Sequence, residues 1–262
     1  MVDVLFTQFS YAAWVGNVGD FDAQKRQAVR KVNEIKRQAE VLQPKYIIPF
    51  ASFVWFCNVD NFYLNEGVNR IPEIYKYIKD NTNAKPIILF VEDKWNVGTE
   101  YDSTQAIDSW EKAYTNALSG NTVANKQVSA DEIMAAGNNY AKQLVQNNSL
   151  FVRMLKPAKI YVTDLNQAYK FSLNGLETAN YDYDSCDIAL SADALNYCFK
   201  FKWGGSTIRV NGRYQVPKNG KFYNMKMYFQ VAQLNNFNQS FNLWYIAGVI
   251  LQKLRNKILG NN

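Results

Sequence analysis

No histidine occurs anywhere in the 262 residues. The chain alone therefore cannot build a histidine-ligated metal site or a Ser-His-Asp triad, because imidazole is the commonest zinc ligand and the side chain whose ordinary pKa lies near neutrality. Cysteine is scarce. Cys57, Cys186 and Cys198 lie far apart or in different segments, and no CxxC or Cys/His spacing exists. That excludes a zinc ribbon and argues against a disulfide scaffold, leaving reduced thiols, buried at Cys186 and Cys198, and a cytoplasmic compartment as the expectation. Long apolar runs are missing too. Pro86–Val91 and Leu243–Leu251 fall well short of the roughly 20 residues a membrane-spanning helix needs. The start of the chain has no charged region followed by an apolar signal segment. It opens directly on Val2-Asp3-Val4-Leu5-Phe6, which reads as an interior strand and points to truncation. Neither GxxxxGK[ST] nor GxGxxG occurs, Gly204-Gly205 is a turn signal only, and nucleotide hydrolysis is disfavoured. Ser-Lys and carboxylate-pair mechanisms stay open, since such partners can meet from distant positions.

What is present is the composition of a folded chain, 48% hydrophobic and 20% charged, with enough apolar material for two cores. The net charge of +6 is spread out and gathers mainly on one helix face, at Lys25, Arg26, Arg30, Lys31, Lys36 and Arg37. A solvated face explains it without a nucleic-acid partner.

Val4–Phe9 is short and β-prone and runs into an aromatic, glycine-punctuated loop. From Asp20 to Leu42 the apolar residues Ala28, Val29, Val32, Ile35, Ala39 and Leu42 recur at spacings of three and four, which predicts a helix that Pro44 stops. Lys45–Phe50 is a buried strand, Ile74, Tyr75 and Ile78 mark another helix, and Pro86–Val91 another strand. The order β, α, β, α, β implies helices packed on a sheet. Polar residues dominate Glu92–Ser103, the first boundary. A helix over Thr104–Leu118 and a polar loop over Asn121–Gln127 form a linker, 104–127. Ser129 and Glu132 then make an S-x-x-E capping box that opens the next helix. In the remainder, Lys159–Thr163 and Tyr169–Leu173 are strands about a polar turn at Asp164–Asn166. Asp187–Leu190 is followed by Ser191, an N-cap for a helix from Ala192 to about Phe201. Gly204-Gly205 breaks that helix, Ile208–Tyr214 and Phe222–Val231 are strand-like, and Leu243, Ala247, Ile250, Leu254 and Ile258 have helical spacing. The domains expected are 1–103, the linker 104–127, and an α+β module over 128–262.

Val2–Phe6, the long basic helix and Gln43-Pro44-Lys45-Tyr46-Ile47-Ile48-Pro49-Phe50-Ala51 together resemble the distal half of a metallo-β-lactamase-fold protein, in the branch similar to CMP-N-acetylneuraminate hydroxylases. The resemblance covers about residues 1–100. It implies an α/β half-fold of αββα type and, in an intact parent, zinc or another divalent metal held by histidines that this chain lacks. Phe50 and Ala51 stand where the family's strand commonly ends in a histidine ligand, and no HxHxDH segment is present. Metal-bound water attacking an ester, amide, phosphate or sulfate bond is then the implied parent chemistry, with this piece inactive alone. The oxygenase chemistry of the hydroxylases needs a Rieske cluster with two histidines and is not expected to carry over. Ser10, Ser52 and Asp93, which end or follow predicted strands, are the pocket-lining candidates, weighed against ordinary loop polarity. No catalytic or metal-binding residue is assigned within the chain.

Asp187-Ile188-Ala189-Leu190-Ser191-Ala192-Asp193-Ala194-Leu195 and Ile208-Arg209-Val210-Asn211-Gly212-Arg213-Tyr214 resemble a sterol-carrier-protein-2-like domain. That resemblance implies a curved sheet with helices enclosing an apolar cavity, for which Met225, Met227 and Phe229 are the lining candidates. A sheet core explains the same residues nearly as well. Phe50, Phe53, Trp55 and Phe56 read as core rather than as stacking platforms. Asp182, Asp184 and Asp187 alternate on one strand face but lack a calcium loop's glycine and distal Glu, so they read as solvent-exposed. Two other functions stand beside the hydrolase reading: a non-catalytic binder of a small-molecule or lipid-like apolar ligand, and an oligomerisation piece that uses Leu243–Ile258.

Overall fold

The computed structural model describes residues 2–245 together with 247, 248 and 251. The chain forms two compact units, one running to Ala124 with Val210–Gly212, the other Asn125–Arg209 with the residues from Arg213.

The first unit is a parallel sheet with its helical connections. Strand β1 (Val4–Thr7), helix α1 (Phe21–Leu42), β2 (Tyr46–Pro49), α2 (Ile71–Asn81) and β3 (Lys85–Pro86) follow one another, and the sheet order is β1-β2-β3. Val4 pairs with Tyr46, and Tyr46 with Lys85. Parallel neighbours need such crossovers, and helices supply them. Helix α1 ends where expected: Gln43 adopts a left-handed φ of 46° and donates its N–H to Ala39 O, after which Pro44 prevents continuation. The face of α1 that meets the core carries Gln24, Ala28 and Ile35, whereas Val29 of the predicted apolar stripe is half exposed. Ile35, Ile47, Ile71, Ile74, Ile78 and Ile88 form the core with Phe9 and with Ala106 and Tyr114 of α3 (Thr104–Ser119). Phe53 stacks on Trp110 at 3.8 Å between ring centroids, and Trp55 packs against the same core. Phe50 is the exception to the expected aromatic core. It is 55% exposed and meets Phe6 edge to face.

The third strand is much shorter than Pro86–Val91. Ile87 still donates to Ile47 O, but the N–H of Ile88 turns to Ser103 Oγ at 3.0 Å and that of Phe90 to Asp93. Ile87 and Ile88 are buried, so the apolar run is core, and side-chain acceptors end its ladder early.

The second unit has a four-stranded sheet of order β6-β5-β4-β7, built from β4 (Ala158–Val162), β5 (Gln167–Ser172), β6 (Gly175–Ala179) and β7 (Ile188–Leu190). All pairs are antiparallel except β4 with β7. Helix α4 (Ala130–Asn147) opens on the capping box, with Ser129 accepting from Glu132 N and Glu132 accepting from Ser129 N. Helix α5 (Ala192–Lys200) is capped by Ser191, whose side chain accepts from Ala194 N.

Two expected strands are helices. Helix α6 spans Gly204–Asn211 and α7 spans Phe222–Asn236. Gly204-Gly205 therefore starts a helix instead of breaking one. A Cβ on Gly205 would lie 2.1 Å from the Phe229 ring, and one on Gly204 would lie 2.2 Å from Tyr197 O. Close approach, which only glycine permits, is the reason for the pair. Asp187 also departs from expectation. It is buried and accepts from Lys159 N, Lys221 N and Asn224 Nδ2, while Asp182 and Asp184 are exposed about the turn Tyr183–Ser185. Of the terminal stretch, Ile250, Leu254 and Ile258 lie outside the described residues. Among the described residues no helix is long and apolar enough to cross a membrane.

Candidate functional site

In a parallel sheet, ligand sites form beyond the carboxyl ends of the strands, where the connecting loops gather. In the first unit those ends are Thr7 and Pro49. The loops after them bring Ser10 and Ser52 together, both buried: Ser52 Oγ donates to Ser10 O at 3.0 Å and accepts from Phe9 N at 3.3 Å. Ser10 Oγ accepts from Asn69 N at 3.0 Å, and the Asn69 amide donates to Phe9 O and Ala28 O at 2.7 and 2.9 Å. Both serines are thus committed to holding loops. Between them and β2, Ala51 has a φ of 58°, a conformation that costs a non-glycine residue energy and recurs at functional loops.

Asp93 is not part of this network. It sits in an exposed turn and accepts from Phe90 N and Tyr101 OH, both at 2.8 Å. Burial first, then the Asp93 carboxylate, pushes the Tyr101 hydroxyl up to about 12.

Asn69 also borders a cleft of about 620 Å³ within the first unit. The first turns of α1, with Phe21, Gln24 and Lys25, form one wall. The end of the 3₁₀ turn Phe62–Gly67 and the start of α2, with Arg70 and Glu73, form the other. Gln24 is 1% exposed, and neither its Oε1 nor its Nε2 has a hydrogen-bond partner. The space for this carboxamide exists because residue 67 is glycine: a Cβ there would lie 2.7 Å from Gln24 Cβ and 3.1 Å from its Oε1. Burying an amide without partners costs about 1–3 kcal/mol per lost bond, so the position is expensive. Arg70 is half-buried, with its guanidinium 4.4 Å from the Tyr114 ring centroid and 5.9 Å from that of Trp55. Burial raises the Tyr114 hydroxyl to about 12 even though the Arg70 charge opposes that shift.

The candidates in the second unit do not share a face. Strand alternation would align Met225, Met227 and Phe229, but on α7 successive residues turn by about 100°. Met225 and Phe229 are buried, and Met227 is only half-buried. Phe229 is packed against Gly205, and the groove beside it holds about 240 Å³, with Ser206, Arg209, Lys226, Gln230 and Gln233 among its lining. Cys198 and Cys186 are free, buried thiols pushed up to about 12 and about 11 by burial, whereas Cys57 is exposed.

Gln24, Asn69 and Arg70 are absent from the residues the sequence marks out. One signal existed: Gln24 lies four residues before Ala28 and eleven before Ile35, in phase with the buried stripe, where an apolar residue is the norm. Comparison with protein-family models, with curated proteins and with solved structures finds no match in any of the three.

Proposed function

We propose that the chain is a non-catalytic part of a metallo-β-lactamase-like hydrolase, and that its first unit binds a small polar ligand in the cleft beside the carboxyl ends of β1 and β2 without transforming it. The observation that carries the binding role is the cleft of about 620 Å³ lined by the half-buried Arg70, which forms no ion pair with any described residue. The planar fork of N–H donors on Arg70 is unpaired and matches a small polar or anionic group. The hydrolase kinship rests on the resemblance of Val2–Phe6 and Gln43–Ala51, and a parallel βαβ unit is the arrangement it leads one to expect.

The residues present do not fit a zinc site. The chain holds no histidine, Ser10 and Ser52 are tied to backbone partners, and Asp93 is engaged by Tyr101. No group of three or more Cys, Asp or Glu side chains among the described residues is placed to hold a metal ion. Any metal chemistry of a parent protein would draw on other residues, and no step of it is derived from these.

The test pairs activity with binding. Purified chain with zinc chloride and p-nitrophenyl acetate should turn over no faster than zinc alone, while ligand-observed NMR with a library of small polar fragments should yield binders. Val29→Arg, which places a long side chain in the cleft from an exposed position, should abolish that binding and leave the melting temperature unchanged. Zinc-dependent turnover by the chain alone, or binders indifferent to Val29→Arg, would sink the reading.

A further inference from the structure

We infer that one end of the second unit docks on an anionic lipid bilayer, lying at its surface rather than crossing it. Charge is unevenly placed along the chain. Residues 194–262 contain ten lysines and arginines and no aspartate or glutamate, whereas the first 193 residues hold 19 basic and 23 acidic groups. On α1 the basic residues are partly offset, since Glu34 pairs with both Arg30 and Lys31. In the later stretch Arg213 is neutralised by Asp193 at 2.7 Å, but Lys200 and Lys202 form no ion pair with any described residue.

These two lysines sit where three helices end. The last turns of α4, α5 and α7 meet around a groove of about 300 Å³ that Asn147, Lys200, Lys202 and Asn236 help to line. Asn148 and Asn235 exchange hydrogen bonds at 2.9 and 3.0 Å, Asn148 also accepts from Phe241 N, and Ser149 donates to Phe241 O. The chain leaving α4 and the chain leaving α7 are thereby tied to the same end. Large apolar side chains gather there in water: Leu150, Phe201, Trp203, Phe237, Leu243 and Trp244 are exposed, Leu150 to 75% and Trp244 to 84%. Trp203 and Phe237 meet edge to face at 5.3 Å, and Lys202 Nζ lies 5.9 Å from the Trp203 ring centroid. The acidic residues of α4 and α5, Asp131, Glu132 and Asp193, stand in the first turns, at the far ends of their helices. Helix α7 has none.

An exposed apolar patch of this kind marks a contact surface, and the cations beside it select the partner. Anionic lipid matches both halves: aromatic and aliphatic side chains enter the headgroup layer, while lysines extend along it to the phosphates. The sequence beyond Tyr245 has the same two parts, with Ile246-Ala247-Gly248-Val249-Ile250-Leu251 followed by Lys253, Arg255 and Lys257. A single-stranded nucleic acid would use the lysines and the ring faces but leave Leu150 and Leu243 in water. A second copy meeting this one through the same end would set like charges against each other.

Co-sedimentation of the full chain with vesicles is the test. Phosphatidylcholine vesicles containing about one quarter phosphatidylserine should bind the chain at least about tenfold more tightly than pure phosphatidylcholine, and added salt should release it. Lys200→Gln together with Lys202→Gln should weaken binding at least about tenfold. Leu150→Gln together with Trp244→Gln should weaken it as strongly, by removing the groups that enter the headgroup layer. All four side chains are exposed, so the melting temperature should not change. No sedimentation with the anionic vesicles, or sedimentation indifferent to both pairs of substitutions, would overturn the inference. Binding of a uridine oligonucleotide without binding of vesicles would overturn it in favour of a nucleic acid. A dimer in sedimentation velocity that the Leu150 and Trp244 pair dissolves, with vesicles unbound, would overturn it in favour of a second copy.

Discussion

Gln24 is a polar residue in an apolar position, and its cost can be measured. Methionine has nearly the same length and no hydrogen-bonding demand, so Gln24→Met should stabilise the first unit by about 1–3 kcal/mol, a gain of several degrees in melting temperature. A neutral or lower melting temperature would mean that the carboxamide is satisfied in solution by water. The same residue shows the limit of sequence reading at this scale. Gln24 is in helical phase with the buried Ala28 and Ile35 yet was not singled out, and nothing in the one-dimensional pattern distinguishes a paired buried amide from an unpaired one. Ser10 and Ser52 were legible because strand ends are where loop polars gather. Their commitment to Ser10 O, Phe9 N and Asn69 N was not legible, since it depends on segments more than forty residues apart.

At the scale of elements, legibility followed the strength of the local signal. The capping box at Ser129, the cap at Ser191, the stop at Pro44 and the three-and-four spacing of α1 are local, and the helices they predict are present. Helices α6 and α7 were missed because their determinants are tertiary. Helix α7 reads Phe-Tyr-Asn-Met-Lys-Met-Tyr-Phe-Gln-Val, with apolar and aromatic residues on every side and a strand-like alternation. Glycines usually mark a break, yet Gly205 sits where α6 must touch Phe229. Gly205→Ala tests that contact: by helix propensity alone it would stabilise α6 by about 1 kcal/mol. The 2.1 Å approach to an aromatic ring reverses the sign, and we expect a net loss of about 1–3 kcal/mol in chemical denaturation. A stabilised variant would show that α6 does not rest on α7.

Over the molecule as a whole, the α/β character and the βαβαβ order were readable, because alternating short apolar runs and amphipathic helices leave few arrangements. The lining of the cleft was not, because Phe21, Asn69 and Leu118 come from the start of α1, the loop before α2 and the end of α3, whose meeting is fixed only by tertiary packing. Asn69 carries a further consequence, one of timing. Its amide reaches back 60 residues to Phe9 and 41 to Ala28, so both bonds wait until β1 and α1 have docked, after most of the loop-closure entropy has been spent. Interactions formed that late slow unfolding and leave the folding limb untouched. In stopped-flow denaturation Asn69→Ala should raise the unfolding rate and leave the folding arm in place. A slower folding arm would place this clasp in the nucleus instead. Asn69 also borders the cleft, so the clasp that delays unfolding would set how long the first unit stays closed against proteolysis.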